Sequence, residues 1–137
     1  MLKHVVFLGD VQWPFHHVAA LKAASDFAVG LSLQEPTELW FMGDGIDMDM
    51  LSGKYINAPD RLGRLQPDID AWRTTLEAWV TRGNFTRLVY LGGNHEHRLQ
   101  MYLWHQAPAL SSLRGLTVPE LLGLDEMGWE WHPWGEL

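Results

Sequence analysis

Residues 38–44, Glu-Leu-Trp-Phe-Met-Gly-Asp, are a short apolar run halted by a glycine and an aspartate. A run this short, rich in bulky side chains and followed by a turn pair, reads as a buried strand feeding a loop. The same grammar recurs on both sides. Upstream, His4-Val5-Val6-Phe7-Leu8 stops at Gly9-Asp10, and downstream, Thr86 to Leu91 (TRLVYL) stops at Gly92-Gly93-Asn94. Between these runs the apolar spacing is helical. Val18, Leu21, Ala24, Ala28 and Leu31 mark one helix over 16–31, with Gly30 near its end. Ile69, Trp72, Leu76, Trp79 and Val80 mark a second, ended by Gly83-Asn84. A third is expected from near Glu96 to before Pro108. Strand, loop and helix, repeated three times, predict an α/β fold: a mostly parallel β-sheet with flanking helices. The stretch from Gly45 to about Pro67 carries glycine, proline and aspartate and reads as a long loop. Pro119 to Leu122 suggest a short helix, and Trp129 to His132 a further strand.

At 137 residues the chain is expected to form a single domain over 1–137, with enough buried surface for one core. The formal net charge of −7 argues against a broad basic surface gripping nucleic acid. It leaves a phosphate substrate open, because bound metal ions supply positive charge locally. There are no cysteines, which excludes disulfides, thiolate metal sites and cysteine nucleophiles. No apolar run is long enough to span a membrane, and the N-terminus lacks the pattern of a signal peptide. A soluble, cytoplasmic protein is the default expectation. Of the eight tryptophans, Trp13, Trp104 and Trp134 fall near expected turns. They are expected to pack the core and its rim, with a cleft or contact face as the alternative.

In a parallel sheet the carboxyl ends of the strands share one edge, and residues just beyond them converge in a crevice. Asp10, Gln12, Asp44, Asp47, Asn94 and His95 therefore become neighbours despite their separation in sequence. This is a set of hard oxygen donors with one histidine, suited to Mn²⁺, Mg²⁺, Fe or Zn²⁺ rather than to soft metals. Gly-Asp after a strand is often only a turn, with the aspartate capping the next helix. Three such endings in order, each after a β run, make a site the better reading.

Gly9-Asp10-Val11-Gln12, Gly43-Asp44-Gly45-Ile46-Asp47 and Gly93-Asn94-His95-Glu96 resemble the first three signature blocks of the calcineurin-like metallophosphoesterases. The resemblance covers about Lys3 to Arg98. Pro14-Phe15-His16 and Glu96-His97-Arg98 are most like versions found in bacteriophage and bacterial genomes. It implies half of an αββα sandwich and hydrolysis of a phosphomonoester or phosphodiester at a dinuclear metal centre. A nucleic acid or nucleotide is among the substrates it suggests. It further implies that Asp10 and Gln12 bind a first metal, that Asp44 bridges two metals, and that Asn94 binds the second. His95 would face the substrate, steady the phosphoryl oxygens and protonate the leaving group, with Asp47 behind the site or orienting His95. Arg98 would reach a substrate phosphate or make an ordinary salt bridge. Two divalent ions are implied, with Mn²⁺ favoured and Mg²⁺, Fe, Zn²⁺ or Ni²⁺ as the other candidates.

Two departures from the family pattern shape the expectation. Gln12 stands where histidine is commoner, which weakens the site toward Zn²⁺ or Fe and favours Mn²⁺ or Mg²⁺. The family's later lone histidine and Gly-His-x-His block have no counterpart here, and His132 is followed by Pro133. The chain is therefore expected to represent the N-terminal half of the pattern, completed by a continuation, a second chain or a self-copy. The alternative expectation is a catalytically impaired relative acting as a binding or assembly module. Among the remaining polar residues, Asp49 and Asp60 read as solvated loop residues. His16 and His17 read as helix N-terminal surface positions, and His97 and His105 as the exposed face of the third helix. Glu96 reads as an acidic residue favoured by the helix dipole.

Overall fold

A computed structural model describes residues 1–54 and 58–136. Strand β1 spans His4–Leu8, β2 Thr37–Phe41, β3 Arg87–Leu91 and β4 Trp129–His132. Helix α1 spans Val18–Ser32, α2 Leu65–Arg82, α3 Asn94–Gln106 and α4 Val118–Leu122. The strands form one sheet in the order β1-β2-β3-β4, every pair parallel. The α/β expectation holds, and Trp129 to His132 form the further strand foreseen. The strands fall within a residue of expectation, while the three long helices start elsewhere. Helix α1 begins at Val18 rather than 16, because His17 caps it, its Nδ1 accepting the Ala20 N–H at 3.1 Å. Helix α2 starts at Leu65, so Pro67 lies in its first turn, where a missing N–H costs nothing. Helix α3 starts at Asn94 and carries Asn94 and His95 in its opening turn. Within the Gly45–Pro67 stretch, short 3₁₀ turns form at Asp49–Leu51 and Pro59–Arg61, while residues 55–57 lie outside the described residues.

Sequential parallel strands joined by right-handed crossovers place their helices on one face of the sheet. The burial pattern agrees. In register, Leu39 sits beside Leu88 and Phe41 beside Tyr90, and this face packs on Trp72, Leu76 and Ala28 to form the core. Phe41 is 0% exposed and packs between Trp72, Trp79 and Tyr90. On the other face Phe7 is 60% exposed, and Val5 and Met42 also meet solvent. That face carries an aromatic and charged seam: Phe7 lies edge-on to Trp40, and Arg87 stacks over Trp40 while pairing with Glu130 at 2.7 and 2.6 Å. No helix among the described residues is long and apolar enough to cross a membrane.

A candidate metal and phosphate site

The loops after β1 and β2 do not diverge when the strands end. Asp10 N–H donates to Gly43 O at 3.0 Å, Gln12 N–H to Asp44 O at 2.8 Å and Trp13 N–H to Gly45 O at 2.8 Å. Asp47 N–H returns a bond to Trp13 O at 2.9 Å, where Trp13 and Ile46 form a parallel bridge. The ladder thus carries the first two blocks side by side past the sheet edge. To do so the backbone enters the left-handed region at Asp10, Gln12 and Asp44, with φ of 55°, 55° and 53°. Met48 (φ 53°) is the remaining non-glycine residue with this conformation among the described residues. Side chains rarely adopt it, and residues held there cluster at functional sites.

The third block is fitted against the second by glycine. Gly43 has φ 87°, and a Cβ there would lie 2.7 Å from Gly93 N. A Cβ on Gly93 would lie 2.1 Å from Asp44 Oδ1. Only glycine allows the two loops to approach this closely. Asp44 Oδ1 then accepts the His95 N–H at 3.0 Å, so its carboxylate sits at the positive N-terminal end of α3.

Glu96 holds this junction together. It is 2% exposed, and its two oxygens accept four bonds. Oε2 takes the N–H of Asp44 at 2.9 Å and of Gly93 at 2.8 Å, and Oε1 takes the N–H of Gly45 and the hydroxyl of Tyr90, both at 2.8 Å. Burial and the adjacent carboxylate push the Tyr90 phenol well above its usual range, so it stays a donor. The sequence reading of Glu96 as an acidic residue in the first turn of a helix holds, but it is not its whole role: Glu96 is also the tie between the second and third loops. The Glu at the third helical position was visible in sequence, but its partners across the sheet were not.

Beyond this junction, Asp47 is shared by two side chains. Arg98 Nη1 donates to Asp47 Oδ1 at 3.0 Å and to its carbonyl at 2.7 Å. His95 Nδ1 lies 3.2 Å from Asp47 Oδ2, close enough for charge attraction. That nitrogen is buried and off the line of a hydrogen bond. Arg98 Nη2 stands 3.4 Å from His95 Nε2. Guanidinium nitrogens only donate, so this arrangement assigns the lone pair to Nε2 and the imidazole proton to Nδ1, facing Asp47.

The structure thus brings Asp10, Gln12, Asp44, Asn94, His95, Asp47 and Arg98 together at one edge of the sheet. The donor set suits a hard divalent cation, with two carboxylates and two amide oxygens. Gln12 Nε2 now donates to Asp10 Oδ1 at 2.7 Å, and a half-turn of the amide would present oxygen instead. Among the described residues no three His, Asp or Glu side chains gather around one point, so any metal here relies on the amides of Gln12 and Asn94.

Other sequence readings are revised nearby. Asp49 is not a solvated loop residue: Arg61 grips it in a bidentate pair at 3.0 and 2.9 Å and also bonds the buried Asp68. The Arg61 guanidinium lies over the Phe15 ring at 5.1 Å, which ties the long loop to the first block. His97 is half-buried between Trp104 and Trp134, with ring centroids 6.0 and 5.1 Å away. Of the three tryptophans expected near turns, Trp104 and Trp134 flank a cavity of about 270 Å³ beside Gly92 and Gly93, while Trp13 packs against the core beside Trp72. His16 stacks flat on Trp13 at 4.2 Å, while His17 caps α1 and His105 is exposed.

Comparison with protein-family models, with curated proteins and with solved structures returns no match.

Proposed function

We propose that this chain is a metal-dependent phosphoesterase acting on a phosphomonoester or phosphodiester. The observation that carries the reading is backbone strain. Three of the four non-glycine residues with left-handed φ, namely Asp10, Gln12 and Asp44, are those the sequence blocks assign to metal. A turn alone would be built more cheaply with glycine, so retaining carboxylate and amide side chains there argues for a use of those side chains. When bound, a pair of divalent ions would polarise the phosphoryl oxygens and supply a nucleophile at neutral pH. Mn²⁺ or Mg²⁺ fits the oxygen-rich donors best.

The residues of the chain divide the remaining work. Asp10, Gln12, Asp44 and Asn94 would hold the cations. Asp47 faces Nδ1 and would balance the positive charge once Nε2 takes up a proton as well, and that doubly protonated ring is the form that can hand the Nε2 proton to the leaving-group oxygen. Arg98, anchored by Asp47, presents Nη2 beside His95 Nε2, where a guanidinium can bind phosphoryl oxygens. The test is hydrolysis of p-nitrophenyl phosphate and bis-p-nitrophenyl phosphate with Mn²⁺. His95→Ala should lose roughly 10²- to 10⁴-fold in rate, as expected for a general acid. Wild-type turnover in that variant would sink the assignment.

A second reading has one specific observation behind it. Gln12 Nε2 donates to Asp10 Oδ1 at 2.7 Å, so these two side chains hold each other without a cation. On this reading the same fold is a binding or assembly module. Calorimetry with Mn²⁺ separates the two, because a module would bind the ion no better than a Gln12→Ala/Asp44→Asn double variant.

A further inference from the structure

We propose that the outer edge of β1 is a self-association surface, where two copies of this chain join their four-stranded sheets edge to edge, β1 antiparallel to β1. The proposal stands apart from the phosphoesterase reading. It also differs from the sandwich that the family resemblance implies, in which sheet faces rather than edges meet. β1 ends the sheet, with β2 as its neighbour. Its even-numbered residues face β2: His4 N–H donates to Pro36 O at 3.2 Å, and Leu8 O accepts the Met42 N–H at 2.6 Å. The N–H and C=O of Val5 and Phe7 therefore turn outward, where an edge strand is open to a further chain. Natural edges are blunted by charge or proline. β4, the other edge, carries Glu130 and is followed by Pro133, whereas His4-Val5-Val6-Phe7-Leu8 has no proline and no Asp, Glu, Lys or Arg.

A second copy fits because this edge complements itself. In an antiparallel pair, opposite residues share a face, and alternate pairs exchange both N–H···O bonds. A twofold axis at Val6 sets Val5 opposite the partner's Phe7, and Phe7 opposite the partner's Val5. These are the residues whose backbone groups turn outward. Their side chains share the bare sheet face, where Phe7 is 60% and Val5 38% exposed. The same register carries Lys3 toward the partner's Asp10 at each end of the pair, so opposite charges meet. The flank of α1 above this edge is apolar as well. Ala20, Ala24, Phe27 and Leu31 follow one another at three or four residues, and Phe27 is 65% exposed. Ala20 and Ala24 overhang Leu8 of β1 across a cavity of about 230 Å³. A strand rises about 3.3 Å per residue and a helix about 1.5 Å, so the axis at Val6 falls near Ala24 and sets Phe27 against the small residues of the partner's α1. A face about 22 Å long, the length of α1, and about 20 Å high, one sheet and one helix layer, buries about 900 Å² over both copies. That is the low end for specific complexes, so the dimer is expected in the micromolar range.

The test is sedimentation velocity of the full chain from about 1 μM to about 500 μM, with amide exchange by NMR at both ends of that range. EDTA is present, so no metal bridges the copies. The mass should double within the range, and the Val5 and Phe7 amides should slow about tenfold as it does. Those amides are decisive because they point away from β2, and a dimer formed through the bare sheet face leaves them fast. Phe7→Lys removes the cross-strand pair twice and should weaken the dimer about tenfold. Val5→Pro deletes an outward N–H that β2 does not use, so the variant should melt near wild type yet stay monomeric. If either strand variant melts early, Phe27→Glu on the helix flank carries the comparison. A monomer throughout the range, a dimer whose Val5 and Phe7 amides stay fast, or a dimer unmoved by these substitutions would overturn the proposal.

Discussion

The carboxylate of Glu96 accepts the backbone N–H of Asp44 at 2.9 Å across 52 residues of sequence. Through its other bonds it also holds Gly93, Gly45 and Tyr90. Tyr90 in turn accepts from Trp72 Nε1 at 3.1 Å, so the chain of bonds runs from the centre of the core to the base of the site. Stability and site geometry therefore share one residue.

Glu96→Gln tests that sharing. The amide keeps the volume but replaces one acceptor oxygen with an NH₂ group aimed at donors. Two of the four bonds are lost and buried N–H groups are left unpaired, a cost of roughly 3 kcal/mol. Urea denaturation should show a lower midpoint with little change in slope. A loss smaller than about 1 kcal/mol would mean that the two loops hold each other without Glu96.

The contrast between this tie and the sheet explains what could be read from sequence. Each strand announces itself within a few residues, as in HVVFL followed by Gly-Asp, because burial and turn chemistry are local. Parallel order then places Asp10, Asp44 and Asn94 on one edge without further information. The roles of Glu96 and of the Asp49–Arg61 pair depend on partners far along the chain or in loops without periodicity, and no pattern reports those. Nor does sequence disclose the left-handed backbone at Asp10, Gln12 and Asp44, since only glycine advertises that conformation.

Arg61 is the corresponding tie for the long loop. It is bidentate on Asp49, bonded to Asp68 and stacked on Phe15. Asp68 is 3% exposed, so removing its partner strands a buried charge. Arg61→Ala should cost roughly 3–5 kcal/mol by chemical denaturation. Arg61→Lys should recover only part of that, because an ammonium cannot form the paired bonds or the flat stack. Full recovery in the lysine variant would reduce the interaction to simple charge neutralisation.

His16 gives the stability a pH dependence whose sign can be worked out. Burial lowers its pKa below the ordinary 6.5, and its Nδ1 is buried without a hydrogen-bond partner among the described residues. As pH falls, the unfolded chain takes up this proton before the folded one does. The contribution is thus fully present above about pH 6.5 and declines below it, down to the folded pKa. His16→Phe keeps a ring stacked on Trp13 and removes the titration. Melting temperatures at about pH 7.5 and about pH 5.5 should lie closer together in the variant than in the wild type. An unchanged difference would assign the effect to other histidines.

Asp47→Asn separates positioning from binding at the candidate site. The backbone bond from Arg98 to the residue-47 carbonyl, 2.7 Å long, survives the change, so the fold and the guanidinium stay in place. What is lost is the negative charge 3.2 Å from His95 Nδ1 and 3.0 Å from Arg98 Nη1. The neutral amide no longer selects the Nδ1–H tautomer and no longer balances a protonated ring. On the phosphoesterase reading, kcat should fall about 100-fold with KM much less affected. Mn²⁺ affinity, read by calorimetry, should stay near wild type, because Asp47 is not among the proposed ligands. A variant with normal kcat would show that His95 needs no partner. One with normal kcat but weakened Mn²⁺ binding would move Asp47 from orienting the histidine to holding the cation.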